Sequence, residues 1–254
     1  MWDWVGQIDQ LKKQSKPVCM ITVAGVEGSA PREIGAKMLV LEDGAFWGTI
    51  GGGNLEFLAI HEAKKQLQQG TSEKIRFPLG AKTGQCCGGV VELLFESMNT
   101  GPQLYLFGAG HVGQAIARAL NESVFTVHAI DERDEWLSQM PQGIIRHSTE
   151  PETFISNTHF NPARTYCVVL THRHDLDEQL IRLLIDKNPF YLGLIGSESK
   201  WNRFQQRLQA KGITPSSLER VKCPIGIGVF GKAPSEIAVS VGAELLKLHY
   251  ESRK

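Results

Sequence analysis

Neither sign of charge is in excess: 27 Lys and Arg are matched by 27 Asp and Glu, so no whole-molecule field exists to hold nucleic acid or an anionic membrane surface. No stretch reaches the roughly 18 consecutive apolar residues of a membrane span, and the opening residues Met1-Trp-Asp-Trp-Val-Gly-Gln-Ile8 lack the basic segment and apolar core of a secretory signal. Cysteine is sparse and odd in number. Five occur in 254 residues, two of them adjacent at Cys86 and Cys87, which does not resemble the disulfide framework of a small secreted domain. A cytoplasmic protein with reduced thiols is the expectation. Internal repeats and low-complexity tracts are missing, as are the Lys-Ser/Thr ending of a Walker A loop and the G-x-S-x-G turn of a serine hydrolase.

What is present is enough apolar material, 42% of residues, to bury a sizeable core in 254 residues, and the pattern divides it in two. Residues 1–97 read as a smaller α+β domain. A helix with Trp4, Ile8 and Leu11 on one face leads to the strand Val18–Val23, and Gly25 to Arg32 read as a loop. Asp43-Gly44 between two apolar runs signals a hairpin. A helix with Phe57, Ile60, Ala63 and Leu67 at helical spacing follows and ends at Gly70; strands at Ile75–Phe77 and Val90–Phe95 complete the domain. Ser97 to Pro102 reads as linker. Residues 98–254 alternate strand and helix, the pattern of a parallel, Rossmann-like α/β sheet.

The second domain opens with an apolar strand, Leu104–Phe107, then Gly108-Ala-Gly110-His-Val-Gly113 and an amphipathic helix, with Asp131 at the end of the next strand. In a dinucleotide fold Gly108 permits the tight turn, Gly110 lets backbone approach a pyrophosphate, and Gly113 lets the helix pack on the sheet. Asp131 is placed to accept ribose hydroxyls, and the helix start favours an anion. NAD(P) or another nucleotide is therefore one expected ligand, and an NAD(P)-dependent oxidoreductase one reading. The bland reading is a Rossmann sheet that keeps the turn without using it.

Three further clusters carry candidate chemistry. Gly48-Thr-Ile-Gly51-Gly52-Gly53-Asn54 before a helix offers backbone donors to an oxyanion, and Arg32 and Lys37 supply positive charge if the loops converge; the alternative is two tight turns with solvated cations. Gly84-Gln-Cys86-Cys87-Gly-Gly89 sets thiols among residues chosen for backbone freedom, which suits a ligand or nucleophile better than a packed structural cysteine. Thr171-His172-Arg-His174-Asp175 follows a strand at the edge where open α/β sheets bind ligands. If the strand persists, both imidazoles share a face and could join Cys86 and Cys87 in a zinc site of a hydrolase. The alternative there is a polar turn with Asp175 or Asp177 as helix N-cap.

Gly28-Ser-Ala-Pro-Arg32, Gly48 to Glu56, Gly84 to Gly89, Phe107 to Gly113, Thr171 to Asp175, and Cys223-Pro-Ile-Gly226 through Pro234-Ser-Glu-Ile-Ala238 together resemble the XdhC/CoxI family, in order and over nearly the whole chain. The resemblance implies a maturation chaperone rather than an enzyme. Such a protein binds the molybdenum cofactor (molybdopterin) as cargo and protects it while a cysteine desulfurase partner sulfurates it. It then delivers the cofactor to the molybdenum-binding subunit of xanthine dehydrogenase, in purine catabolism. It also implies a homodimer and a molybdenum-contacting cysteine, here Cys87 in preference to Cys86. On this hypothesis Gly51, Gly52, Gly53 and Asn54 with Arg32 hold the anionic end of the cargo; Gly108, Gly110, Gly113, Asp131 and His172 remain candidates in the second domain.

Overall fold

The computed structural model describes residues 4–13, 16–79, 88–98, 100–158, 160–228 and 230–252. Contacts divide the chain into two units, Met1–Gly101 and Pro102–Lys254, each with its own sheet and core.

In the first unit, helix α1 (Trp4–Lys13) precedes β1 (Val18–Glu27), β2 (Lys37–Leu41) and β3 (Phe46–Gly48), then α2 (Gly53–Gln69), β4 (Glu73–Pro78) and β5 (Val90–Met98). The sheet is antiparallel, in the order β3-β2-β1-β5-β4. Strand β1 runs four residues past Val23, into the stretch that reads as loop in the sequence, because a register irregularity between Val23 and Gly25 lets pairing with β5 continue to Glu27↔Val90. At its other end β5 carries Ser97 and Met98 against Cys19 and Val18, where the composition reads as linker. One sheet face packs under Leu55, Ala59, Ala63 and Leu67 of α2. Phe57, which shares helical spacing with that face on paper, is 69% exposed instead, since the buried stripe starts from Leu55. Gly70 ends α2 in the left-handed conformation, as its place in the sequence predicts.

The second unit runs β6 (Gln103–Phe107), α3 (His111–Leu120), β7 (Thr126–Asp131), α4 (Asp134–Leu137), β8 (Ile145–Ser148), α5 (Pro151–Asn157), β9 (Thr165–Val169), α6 (His174–Lys187), β10 (Tyr191–Leu194), α7 (Glu198–Ala210), α8 (Pro215–Glu219), β11 (Val221–Lys222) and α9 (Pro234–Glu251). The sheet is parallel, ordered β11-β10-β9-β6-β7-β8. That order reverses at β6 and β9, which fixes a ligand crevice beyond their carboxyl ends. Side chains alternate across the sheet. Leu104, Leu106 and Val168 face α3 and α9, whereas Tyr105, Phe107 and Val169 face α6 and α7. No helix among the described residues is long and apolar enough to cross a membrane.

Candidate functional site

Three sequence-distant motifs of the first unit meet at one junction. Beyond β1 the chain turns through Gly28, at φ +74°, and Ser29 bridges to Gly88. Gly89 lies so close beneath this turn that an added Cβ would stand 2.6 Å from the Glu27 carbonyl oxygen and closer still to that of Ser29. The Gly89 carbonyl accepts the Leu79 N–H at 2.7 Å. The ring of Pro31 in turn covers Gly51, where an added Cβ would stand 2.7 Å from Pro31 Cβ. The loops of Gly28–Arg32 and Gly48–Asn54 therefore do converge, with exposed Arg32 next to Pro31. Lys37 does not join them: its Nζ donates to Thr22 Oγ1 at 2.8 Å and sits over the Trp4 ring. Cys86 and Cys87 lie outside the described residues; their chain neighbour Gly88 is part of the junction.

The glycine-rich turn already has an anion in it. Glu56, in the first turn of α2, accepts the Thr49 hydroxyl at 2.5 Å and the Ile50 and Gly52 N–H groups at 3.0 and 2.9 Å through one carboxylate oxygen. Burial works against its charge, but these bonds and the Gly51 N–H outweigh it and hold its pKa below the ordinary value. Gly51 and Gly52 thus shape the turn while Glu56 draws on their donors; Gly53 and Asn54, both exposed, open the helix. The signal was in the sequence: a carboxylate in the first helical turn after a glycine run suits the positive helix end. Glu56→Gln is expected to cost the first unit about 2 kcal/mol near neutral pH, the scale of a charge-assisted bond. Because the folded pKa is depressed, this contribution is full above the unfolded value of 4.5 and fades as pH falls through the folded one. Urea midpoints of the two proteins should converge in that acid range.

In the second unit the dinucleotide turn is formed. Gly108 sits at φ +127°, and a Cβ there would meet the Leu170 carbonyl oxygen at 2.5 Å. A Cβ on Gly113 would strike the Gly108 carbonyl oxygen, so α3 packs on bare backbone, while one on Gly110, the N-cap, would meet nothing within 4 Å. Asp131 ends β7 as read from the sequence, but its carboxylate is occupied. Oδ1 accepts Arg133 N–H at 3.1 Å and Nε–H at 2.8 Å; Oδ2 accepts Ala109 N–H at 2.8 Å and Arg133 Nη2 at 2.7 Å. Those four bonds match the capacity of a carboxylate, so a ribose must displace Arg133 to bind it. Burial raises the Asp131 pKa, and the Arg133 guanidinium with the two N–H groups more than reverses this, leaving it below the ordinary range. Nothing in the local spacing announces Arg133 as the partner.

His172 shares a hollow with Gly108 and Asp131 at the strand-order reversal. The hollow measures about 10 Å³, room for no more than one water, so any nucleotide lies over it rather than in it. Strand β9 stops at Val169, and His174 is the first residue of α6, so the alternation that would align the two imidazoles is broken. The N-cap of α6 is Arg173, not Asp175 or Asp177. Asp177 instead reaches back to the Thr171 N–H and hydroxyl at 3.0 and 2.7 Å, and Lys200 Nζ meets its other oxygen at 2.7 Å. His172 is thus an exposed side chain on a turn locked from below. Among the described residues no three His, Cys, Asp or Glu side chains group to hold a metal.

Three thiols are described, and burial suppresses all of them. Cys19 is pushed up to about 12, Cys223 to about 11, and fully buried Cys167 upward as well. None supplies thiolate at neutral pH.

Comparison with known proteins matches residues 104–245 to the XdhC Rossmann domain and residues 11–78 to the XdhC and CoxI family. The chain belongs to the XdhC and CoxI family. Among curated relatives it is 30% identical over 255 residues to the uncharacterized protein YqeB of Escherichia coli K12, covering 94% of this chain and 45% of that one. It is 30% identical over 157 residues to a protein of Bacillus subtilis described as a probable xanthine dehydrogenase subunit, covering 61% and 45%. The molybdenum cofactor insertion chaperone PaoD of Escherichia coli K12 is 25% identical over 271 residues, 93% of this chain and 85% of PaoD. The chain thus spans about half the length of the first two relatives. A crystal structure of a xanthine dehydrogenase from Bacillus halodurans, 20% identical and aligned over 100% of this chain and 97% of its own, shares the fold at a TM-score of 0.52.

Proposed function

We propose that this XdhC-family chain is a maturation chaperone that holds the molybdenum cofactor as cargo and passes it to a molybdoenzyme. The observation that carries the reading is the junction of Gly28–Arg32, Gly48–Asn54 and Gly88–Gly89: Gly88, the chain neighbour of Cys87, is bridged to Ser29, and Pro31 of the same loop covers Gly51 ahead of α2. The likeness to PaoD over most of both chains supports it. In this reading Cys87, or failing it Cys86, gives molybdenum a soft thiolate, a role the three suppressed thiols do not compete for. Arg32, Gly53 and Asn54 receive the anionic end, and Gly51 and Gly52 set the turn that Glu56 braces. Hold and release suit a contact of this kind better than a closed metal site, in which every ligand must be broken at transfer.

The finer parts of the reading are a cytoplasmic homodimer, a cysteine desulfurase that acts on the held cofactor, and xanthine dehydrogenase as recipient. The oxidoreductase alternative rests on the glycine turn after β6, and the Arg133 clasp on Asp131 weighs against it. The test is anaerobic loading of the reduced protein with molybdopterin, followed by transfer to cofactor-free xanthine dehydrogenase. Cys87→Ala is expected to lose at least tenfold in cofactor retention and transfer, about 1.4 kcal/mol, and Cys86→Ala clearly less. Wild-type transfer by Cys87→Ala removes the thiol from the mechanism; wild-type protein that neither retains nor transfers cofactor removes the chaperone.

A further inference from the structure

A second pocket lies wholly within the C-terminal unit, where the chain leaves β10 and β11 and enters α9. Its volume is about 230 Å³, below the roughly 300 Å³ at which sites for drug-sized ligands begin, so it suits one small ring system. Ile195, Pro224, Ile225 and Ile237 wall it, Phe230 stands at it, and Glu236 is the one charged side chain among its described lining residues.

The loop that forms it is held firmly from α9. Buried Glu244 accepts the Gly226 N–H and the Tyr191 hydroxyl. Buried Ser240 donates to the Gly228 carbonyl at 2.7 Å and accepts the Gly228 N–H at 3.3 Å, and its own carbonyl takes the Ile227 N–H at 3.3 Å. Yet this anchored loop leaves Ile227 55% and Phe230 68% exposed. Exposed apolar side chains beside a hollow mark a contact surface for a ligand.

Glu236 decides its chemistry. Its Oε2 accepts the Ala233 N–H at 3.1 Å, one of about four bonds a carboxylate can take. An added Cβ on Gly231 would collide with this carboxylate, so bare backbone lies beside it. Apolar walls, an exposed phenyl ring and one carboxylate match a flat aromatic ring that stacks on one face and presents adjacent N–H donors at its edge. We infer that this pocket binds a planar heteroaromatic ring through a 2-amino-4-oxo edge, the edge shared by pterins and guanine, with Glu236 accepting its two N–H groups and Phe230 stacking on it. Only the pterin arm rests on the chaperone reading; the guanine arm does not.

The test titrates the full chain by calorimetry with pterin, guanine, adenine and nicotinamide. Pterin or guanine, or both, should bind, while adenine and nicotinamide, which lack paired donors on one edge, should not. Glu236→Gln keeps an acceptor for the Ala233 N–H, so α9 stays capped, and is expected to weaken binding at least tenfold; Phe230→Ala, at an exposed position, is expected to weaken it several-fold. Preference for pterin over guanine, or the reverse, identifies the source, and either supports the assignment. Binding of adenine or nicotinamide as tight as that of pterin, unchanged affinity in both variants, or no binding of pterin or guanine overturns it. A wild-type chain that retains molybdopterin but binds neither free ring defeats this assignment alone and leaves the chaperone reading standing.

Discussion

Acidification from about pH 7 to pH 5 is expected to cost the C-terminal unit about 2 kcal/mol of unfolding stability through one side chain, His128. The imidazole is 3% exposed, in the middle of β7, stacked on Tyr105 at 4.5 Å. Its Nε2 lies 2.9 Å from Gln103 Oε1 and its Nδ1 3.0 Å from His147 Nε2. Gln103 Oε1 only accepts, so Nε2 of His128 carries the proton and Nδ1 accepts from His147. A second proton on His128 has no acceptor there. Burial, with the neighbouring His147 adding to it, lowers the His128 pKa from 6.5 to about 3. The folded state therefore refuses a proton that the unfolded chain takes from pH 6.5 downward. Stability falls through that window and levels off only below the folded value. His147 titrates low for the same reason, its own burial, and adds to the slope. Asp131 and Glu56, held below ordinary carboxylate values, act in a lower window, so the pH 7 to 5 slope isolates the imidazoles. Urea unfolding followed against pH measures it. His128→Phe keeps a ring on Tyr105 but removes the bonds to His147 Nε2 and Gln103 Oε1, so it should be less stable at pH 7 by about 1–3 kcal/mol and show a much flatter slope. A slope equal to wild type would mean that His128 is not the group responsible.

Where periodicity and glycine decide, the sequence was easy to read. The turn after β6 and the helix stop at Gly70 both follow from local chemistry. Pairing is different. That β1 reaches Glu27, and that Ser97 and Met98 belong to β5, depends on the register between strands some seventy residues apart, which no local pattern encodes. The candidate site divides in the same way. Gly28–Arg32, Gly48–Asn54 and Gly88–Gly89 can be picked out one by one as glycine-rich turns, but their meeting is a tertiary fact. The occupants of the two anion-receiving turns were hidden for another reason. Glu56 and Asp131 stand where a carboxylate would greet a ligand as readily as replace one, and only the donors at 2.7–3.1 Å distinguish the two. Both turns are braced internally, so their glycine-rich geometry serves to place backbone.

The junction should fail sharply at one glycine and mildly at its neighbour. Gly88→Ala meets nothing within 4 Å; its cost is the left-handed backbone at φ +62°, about 1 kcal/mol for an alanine. Gly89→Ala has no such backbone penalty but drives a methyl into the carbonyls of Glu27 and Ser29, and neither can yield without breaking the Glu27↔Val90 pairing or the Ser29 bridge. Overpacking against backbone of this kind costs about 3 kcal/mol, a large share of a small domain's stability. The expected result is a Gly89→Ala protein whose first unit unfolds at clearly lower urea while the second unit keeps its midpoint, beside a Gly88→Ala protein close to wild type. The functional consequence follows from chain connectivity. Cys87 is bonded to Gly88, so on the proposed reading loosening the Ser29 bridge frees the chain that leads into the thiol. Cofactor retention should therefore fall in Gly89→Ala even below its unfolding transition, with the thiol itself intact. Equal retention by both glycine variants under native conditions would show that the meeting of the three motifs serves stability alone.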